Sequence, residues 1–277
     1  MAKISVIGIC GKSTFLYVDH FHKKGETLSA DSLFEEMGGK GTNQAIAAAR
    51  QGADVAFLCA VGEDQSAKEC AKLLEAEDIK PCIKVKKGKN TTMAVILTDK
   101  DGENRVTVFR DAELSADDVN DFEAEIASSD ILLLQNEVPE DVNFKAVDIA
   151  EKYGVKVILN PAPPRKNIPE NLFMVTPNEQ EREFINPEKY QNCITTLGGD
   201  GCDINDEFCI PAMPAEVVDT TGAGDTFNGV LAVRIAEGIG VARAAEYAVA
   251  ASSLSVSKKY VIDSIPTREE TERKLGK

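Results

Sequence analysis

Strand-length apolar runs alternate with helix-length segments along most of the chain, and this alternation constrains the fold more than any other feature of the sequence. "ISVIGI" (4–9), "VAFLCAV" (55–61), "ILLLQ" (131–135), "VKVILN" (155–160), "FMVTPN" (173–178) and "CITTLG" (193–198) read as buried strands. Between them, "TNQAIAAARQG" (42–52), "DQSAKECAKLLEAEDI" (64–79) and "VNFKAVDIAEKYG" (142–154) carry helical spacing. The order predicts an α/β fold: a central, mostly parallel sheet flanked by helices, with ligands beyond the carboxyl ends of the strands. Two stretches break the pattern. Residues 12–36 and 82–110 alternate apolar and polar residues around turn sequences such as Lys-Lys-Gly-Glu and Asp-Lys-Asp-Gly-Glu. They read as hairpins of a small antiparallel β lid. No linker, internal repeat or low-complexity segment divides the chain, so residues 1–277 are expected to form a single domain.

Charge and cysteine usage narrow what such a sheet can serve. A net charge of -15 and a pI near 4.7 argue against a general nucleic-acid binder, which needs a basic face. A nucleotide ligand stays open, because backbone dipoles and metal ions hold phosphates on acidic proteins. The seven cysteines are odd in number and form no Cys-x-x-Cys pair, so neither a zinc knuckle nor a redox dithiol is expected. Several sit inside apolar runs, as Cys59 does, which suits a reducing, cytoplasmic setting. No apolar run is long enough for a signal peptide or a membrane span, so no membrane partner is expected.

Three glycine-rich stretches bear on chemistry. "GICGKST" (8–14) ends like a P-loop, but the glycine required five residues before Gly11 is Val6. "GGKGTNQ" (38–44) lacks the Lys-Ser/Thr ending, yet its glycines let backbone approach a ligand beside Lys40. "DTTGAGDTFNG" (219–229) says most. Gly222, Ala223 and Gly224 stand directly before a helical pattern (Phe227, Val230, Leu231, Ile235), so free N–H groups and the helix dipole converge on one anion site. Asp225 falls in the first turn beside that site. A cap would need only one such residue, and Asp219 or the threonines could supply it. A carboxylate next to an anion site suits a base that takes a hydroxyl proton as a phosphoryl group arrives.

In this order, "GGKGTNQA" followed by "GADVAFLCAVGED", then "LNPAP" (159–163), "VTPNEQE" (175–181) and "VVDTTGAGDTFNGVLA" (217–232), the chain resembles the ribokinase family of sugar kinases, the phosphofructokinase-B type. The resemblance implies an ATP- and Mg²⁺-dependent kinase acting on a hydroxyl of a small sugar or polyol. It implies Asp225 as catalytic base, with the N–H groups of Gly222, Ala223 and Gly224 around the γ-phosphate. Gly39, Lys40, Asn43 and Glu137 would contact the sugar. Asn178, Thr196, Gly198, Gly201 and Ser253 would line the nucleotide site, and Glu181 would help hold Mg²⁺ through water. Asp219, the carbonyl of Thr221 and Ser264 would be candidates for a K⁺ seat, and a homodimer through the lid is a family-level expectation.

The chain departs from the family in two places. Where members that take ribose carry Asn-x-Asp, this chain has Gly11-Lys12-Ser13, so the resemblance leaves the sugar unnamed. Lys12 there could favour an acidic or phosphorylated substrate. Only about ten residues, from Arg182, separate "NEQE" from "CITTLGGDG", where relatives have a longer insertion. A nucleoside kinase of the same fold is the alternative enzyme; the 6% aromatic content and absence of tryptophan weigh against a nucleobase pocket. A catalytically reduced nucleotide or sugar sensor is the alternative from outside the enzymes. His20 and His22, two apart with no third ligand, read as a solvated strand face.

Overall fold

A computed structural model describes residues 1–276. Along the chain come β1 (Lys3–Ile7), β2 (Gly11–Tyr17), β3 (Ser32–Gly38), α1 (Lys40–Arg50), β4 (Asp54–Gly62), α2 (Gln65–Ala76), β5 (Lys80–Lys86), β6 (Met93–Thr98) and β7 (Asn104–Phe109). The short helices α3 (Ala116–Asn120) and α4 (Glu123–Ala127) lead to β8 (Ile131–Gln135), α5 (Glu140–Tyr153), β9 (Lys156–Asn160), β10 (Met174–Val175) and α6 (Glu179–Arg182). The chain closes with β11 (Ile194–Thr196), β12 (Cys202–Ile204), β13 (Phe208–Ile210), α7 (Ala223–Ala236), α8 (Val241–Ser255) and α9 (Arg268–Lys274).

Strands in the order β10-β9-β8-β1-β4-β5 form the expected central sheet, and every neighbouring pair is parallel. Two apolar cores lie on its two faces. One gathers Val6, Phe57, Ile131 and Ile158 with α1, α7 and α8; the other gathers Ile7, Leu58, Leu132 and Leu159 with α3, α4 and α5. Alternate residues of each strand enter opposite cores, which is why the strands read as continuous apolar runs. The polar residues Gln135 and Asn160 end β8 and β9, at the carboxyl edge of the sheet. No helix among the described residues is long and apolar enough to cross a membrane.

Three readings of the sequence need correction. Residues 82–86 belong to β5, the edge strand of the central sheet, rather than to a hairpin. Their alternation arises because Cys82 and Ile83 turn into the two cores while Lys84 and Lys86 reach Asp121 and Asp118 across α3. The second sheet, ordered β3-β2-β6-β7, is mixed: β2 and β6 run parallel, and the outer pairs are antiparallel. Finally, β11 belongs to a three-stranded antiparallel sheet with β12 and β13, and meets the end of the central one at the isolated bridges Val175–Cys193 and Asn178–Thr196. The ladder partners of β11 come from β12, not from the two-residue β10.

At the carboxyl edge the loop after β1 presses on α1. A Cβ on Gly41 would lie 2.6 Å from the Cα of Gly8, so two glycines let the backbones touch. The Ile9 carbonyl accepts from the N–H of Thr42 at 3.2 Å and from its hydroxyl at 2.9 Å. This fixes the start of α1, with Lys40, Asn43 and Gln44, against the mouth of the sheet.

Candidate active site

Helix α7 begins without a side-chain cap. Its N-cap Gly222 has φ 79°, a left-handed conformation that glycine adopts at little cost. The N–H groups of Gly222 and Gly224 find no acceptor among the described residues, whereas that of Ala223 turns back to the Thr220 carbonyl at 3.3 Å. Two of the three N–H groups expected around an anion are therefore free, and the third is drawn into the loop. Asp219 shapes that loop rather than capping the helix. Its carboxylate accepts from the N–H of Thr221 at 2.9 Å and from that of Tyr260 at 3.4 Å.

Asp225 is 5% exposed and sits in a buried polar network. Asn43 Nδ2 donates to its Oδ2 at 2.8 Å and Gln44 Nε2 to its Oδ1 at 3.0 Å. Gln44 also donates to Asn160 Oδ1 at 3.3 Å and accepts from Gln135 Nε2 at 2.7 Å. From Asn160 the network runs through the Thr176 carbonyl, the Thr176 hydroxyl and Asn228, which donates to the Gly224 carbonyl at 2.8 Å. Two neutral amides orient the carboxylate without neutralising it, and the same network holds the Gly224 carbonyl at the start of α7. Gln44, Gln135, Asn160, Thr176 and Asn228 escaped the reading of the sequence. The signal was present as an amide closing each of the apolar strands "ILLLQ" and "VKVILN".

Three cavities meet here. One, of about 430 Å³, is bounded by Lys12, Ser13, Gly39, Lys40, Asn43 and Glu137 with Thr221 and Asp225, and roofed by β2, β6 and β7. A second, of about 470 Å³, holds Lys40, Asn178, Glu181, Gly222, Gly224 and Asp225. The third, of about 530 Å³, is largely apolar, with Met213, Pro214, Val217, Phe227, Val249 and Ser253 among its walls. Asp225 borders the first two, and Gly224 with Thr196 and Gly198 borders the last two. Gly201 lines the apolar cavity.

Charge in the first cavity is balanced. The Lys40 N–H donates to Glu137 Oε2 at 2.7 Å. Asp225, joined by Glu137 and Glu181, holds the Lys40 ammonium above its usual range against burial. Burial pushes the Glu137 carboxyl up, and Lys40 offsets this only in part. Lys12 is already held by Glu35 at 3.0 Å and Glu69 at 3.8 Å, so it is no free cation for an acidic ligand. The Asn43 Oδ1 is buried without a partner and remains available to a ligand hydroxyl. Arg110 also lines this cavity and went unnoticed in the sequence.

The raised Glu137 pKa has a pH signature. A carboxyl with a raised folded-state pKa contributes stability below its ordinary value, and that stability is lost as pH rises through the folded value. Glu137→Gln keeps an acceptor for the Lys40 N–H. It should therefore melt roughly 1–4 °C above wild type near pH 8 and level with it near pH 4. Thermal unfolding across pH checks this; an equal deficit at both ends would refute it.

Beside the second cavity, Asn178 and Glu181 form a capping box on α6. Glu181 Oε2 accepts from the Asn178 N–H at 2.9 Å, while Asn178 Oδ1 accepts from the Glu181 N–H at 2.8 Å. The Ser253 hydroxyl donates back to the Ala250 carbonyl at 2.7 Å. Ser264 is not brought to any of the three cavities: it is 1% exposed and donates to the Val261 carbonyl at 2.7 Å. Its hydroxyl hydrogen closes the turn at 262–264, while its oxygen lone pairs have no donor among the described residues.

Comparison with known proteins places the chain among carbohydrate kinases. The pfkB family carbohydrate kinases match residues 1–268. The Haemophilus influenzae ribokinase is 35% identical, with 97% of this chain and 96% of that protein covered. The bifunctional ribokinase/ribose-5-phosphate isomerase A of Fructilactobacillus sanfranciscensis is 36% identical over 97% of this chain, which spans about half (55%) of that longer protein. Among solved structures, Arabidopsis thaliana ribokinase complexed with ribose and ATP superposes with a TM-score of 0.88 at 28% identity, covering 99% of each chain.

Proposed function

The chain belongs to the pfkB family of carbohydrate kinases, and from that premise we propose that it transfers the γ-phosphoryl group of ATP to a primary hydroxyl of a small sugar or polyol, with Asp225 as the base. The observation that carries this reading is the place of Asp225, in the wall shared by the cavity of Lys40, Asn43 and Glu137 and the cavity of Gly222 and Gly224.

The sugar occupies the first cavity, where Asn43 Oδ1, Glu137 and the Gly39–Lys40 turn meet its hydroxyls. The hydroxyl to be phosphorylated donates to Asp225, whose second oxygen stays fixed by amide donation. As the phosphoryl group passes, charge gathers on its oxygens beside the free N–H groups of Gly222 and Gly224 and the positive end of α7. Lys40 stands between the two cavities and balances the added negative charge. Adenine suits the apolar cavity, with Thr196, Gly198, Gly201 and Ser253 along its edge. Mg²⁺ would neutralise the phosphates. The Asn178–Glu181 pair fits it: Glu181 Oε2 is held by the Asn178 N–H, which leaves the other carboxylate oxygen for a water of the ion. The β2-β3-β6-β7 sheet acts as the lid, excluding water during transfer.

Asp219, the Thr221 carbonyl and Ser264 form the K⁺ seat in this proposal; the Ser264 hydrogen goes to the Val261 carbonyl, which leaves its oxygen lone pairs for the ion. Pairing of two lids is part of it as well, supported by the exposed Leu33, Val106, Val108 and Phe109, and light scattering at rising concentration tests it. The kinase itself is tested by ADP release over pentoses, hexoses, sugar acids and nucleosides, in K⁺ and in a K⁺-free buffer. Turnover with a neutral pentose or hexose, faster in K⁺, is expected. Binding without turnover across the panel would mark a sensor instead, and turnover confined to nucleosides would move the chain to that branch of the fold. The Gly11-Lys12-Ser13 segment removes a carboxylate partner for sugar hydroxyls, so ribose should be discriminated less sharply than in a site that holds one.

A further inference from the structure

Behind the first cavity, Cys10, Cys59 and Cys70 bring their sulfurs together, all within 4.8 Å of one another, with Cys59 and Cys70 4.0 Å apart. Each comes from a different part of the sheet's mouth: the loop after β1, strand β4 and helix α2. All three are fully buried. We propose that they form a three-sulfur site for a soft d¹⁰ metal ion of the cadmium, mercury or copper(I) class.

The donor set selects the class, because thiolate sulfur favours soft ions over Mg²⁺ or Ca²⁺. The spacing selects the geometry. An ion at the centre of a sulfur triangle with sides of 4.0 to 4.8 Å would lie about 2.3 to 2.8 Å from each sulfur, and zinc–thiolate bonds are about 2.3 Å. The ion enters this triangle with little movement of the chain. The dryness selects the coordination number. Zinc prefers a fourth ligand, commonly water in an open position. A pocket with no exposed sulfur offers none, which favours ions content with three. Binding replaces thiol protons: a divalent ion that takes all three sulfurs as thiolates releases three protons and leaves one net negative charge. With one sulfur retained as thiol, two protons leave and the site is neutral, the form an apolar core tolerates better.

The site is coupled to the sugar cavity through covalent geometry. Cys10 lies between Ile9, whose carbonyl holds the start of α1, and Gly11, which lines that cavity. An ion bonded to Cys10 pins this loop to β4 and α2, so it no longer adjusts to the sugar and occupancy should raise the KM for the sugar.

Cd²⁺ added to the folded, reduced protein in a Cys209→Ser background, which removes the exposed thiol, tests the proposal. Expected are one bound equivalent per chain, a thiolate-to-metal charge-transfer band in the ultraviolet, and a several-fold rise in sugar KM with ATP binding unchanged. Cys70→Ala and Cys10→Ala should each remove the band. X-ray absorption of the Cd²⁺-loaded chain gives an answer that depends on neither variant: three sulfur neighbours support the site. Oxygen-dominated coordination, absence of a tight equivalent, or a band that survives in a folded Cys70→Ala chain would overturn it.

Discussion

Asp225→Asn should lower kcat by roughly 10²- to 10⁴-fold, the range in which a positioned base contributes, while ATP still binds. The variant keeps the shape of the side chain and loses the capacity to take a proton. Its fold should survive for a specific reason. Asn43 and Gln44 both donate to Asp225, and an amide offers only one acceptor. Gln44 cannot turn over, because its oxygen already accepts from Gln135. Asn43 can, because its Oδ1 has no partner and can accept from the new amide once the side chain flips. Asp225→Ala is different. It leaves two buried donors without an acceptor, which costs about 1–3 kcal/mol for each unsatisfied group. Loss of turnover in both variants, with loss of stability only in the alanine one, separates chemistry from folding. Steady-state ADP release and thermal melts give the two readouts.

The second large effect is expected at Gly222. With φ 79°, any side chain there is strained by about 1–2 kcal/mol. A Cβ would also fall 2.4 Å from Val261 Cγ1. Val261 cannot retreat freely, since its N–H donates to Glu36 at 3.1 Å and that of Ile262 to the same carboxylate at 3.2 Å. The strain must then be relieved by moving the turn that aims the Gly222 and Gly224 N–H groups. Loss of one such donor lowers kcat by about 10²- to 10³-fold in comparable sites, and Gly222→Ala should fall in that range. Gly224→Ala is the instructive contrast. A Cβ there meets nothing within 4 Å, so the variant should fold normally and obstruct the phosphate cavity with its methyl group. Stability should fall in the first variant only, and kcat in both. Normal turnover in Gly222→Ala would mean the helix start does not hold the moving phosphate.

Much of this was legible in the sequence. Buried parallel strands announce themselves through continuous apolar runs, and the glycine-to-helix transition before Asp225 is visible without a structure. Other features were hidden for physical reasons. The alternation of Lys80–Lys86 suits an edge strand as well as a hairpin, because both have one polar face; only the pairing with β4 decides. Most amides around Asp225 come from α1, β8 and β9, distant in sequence, and a lone Gln or Asn at a strand end carries no mark of its partners. Lys12 looked like a cation open to a ligand until Glu35 and Glu69 were seen to hold it. Ser264 reads only as polar in the sequence; the structure shows its hydrogen given to Val261 and its oxygen lone pairs left over. Residue types were readable in these cases, but which hydrogen-bonding capacity remained unused was not.

The central claim, that a phosphoryl group crosses from nucleotide to sugar beside Asp225, is tested most directly by phosphorus NMR on wild type and Asp225→Asn in parallel, each with ATP, Mg²⁺ and the best sugar from the panel. The account predicts a new sugar phosphate ester resonance and ADP from the wild type, with ATP persisting in the variant. Ester formation at similar rates in both, or free phosphate in place of the ester, would contradict it.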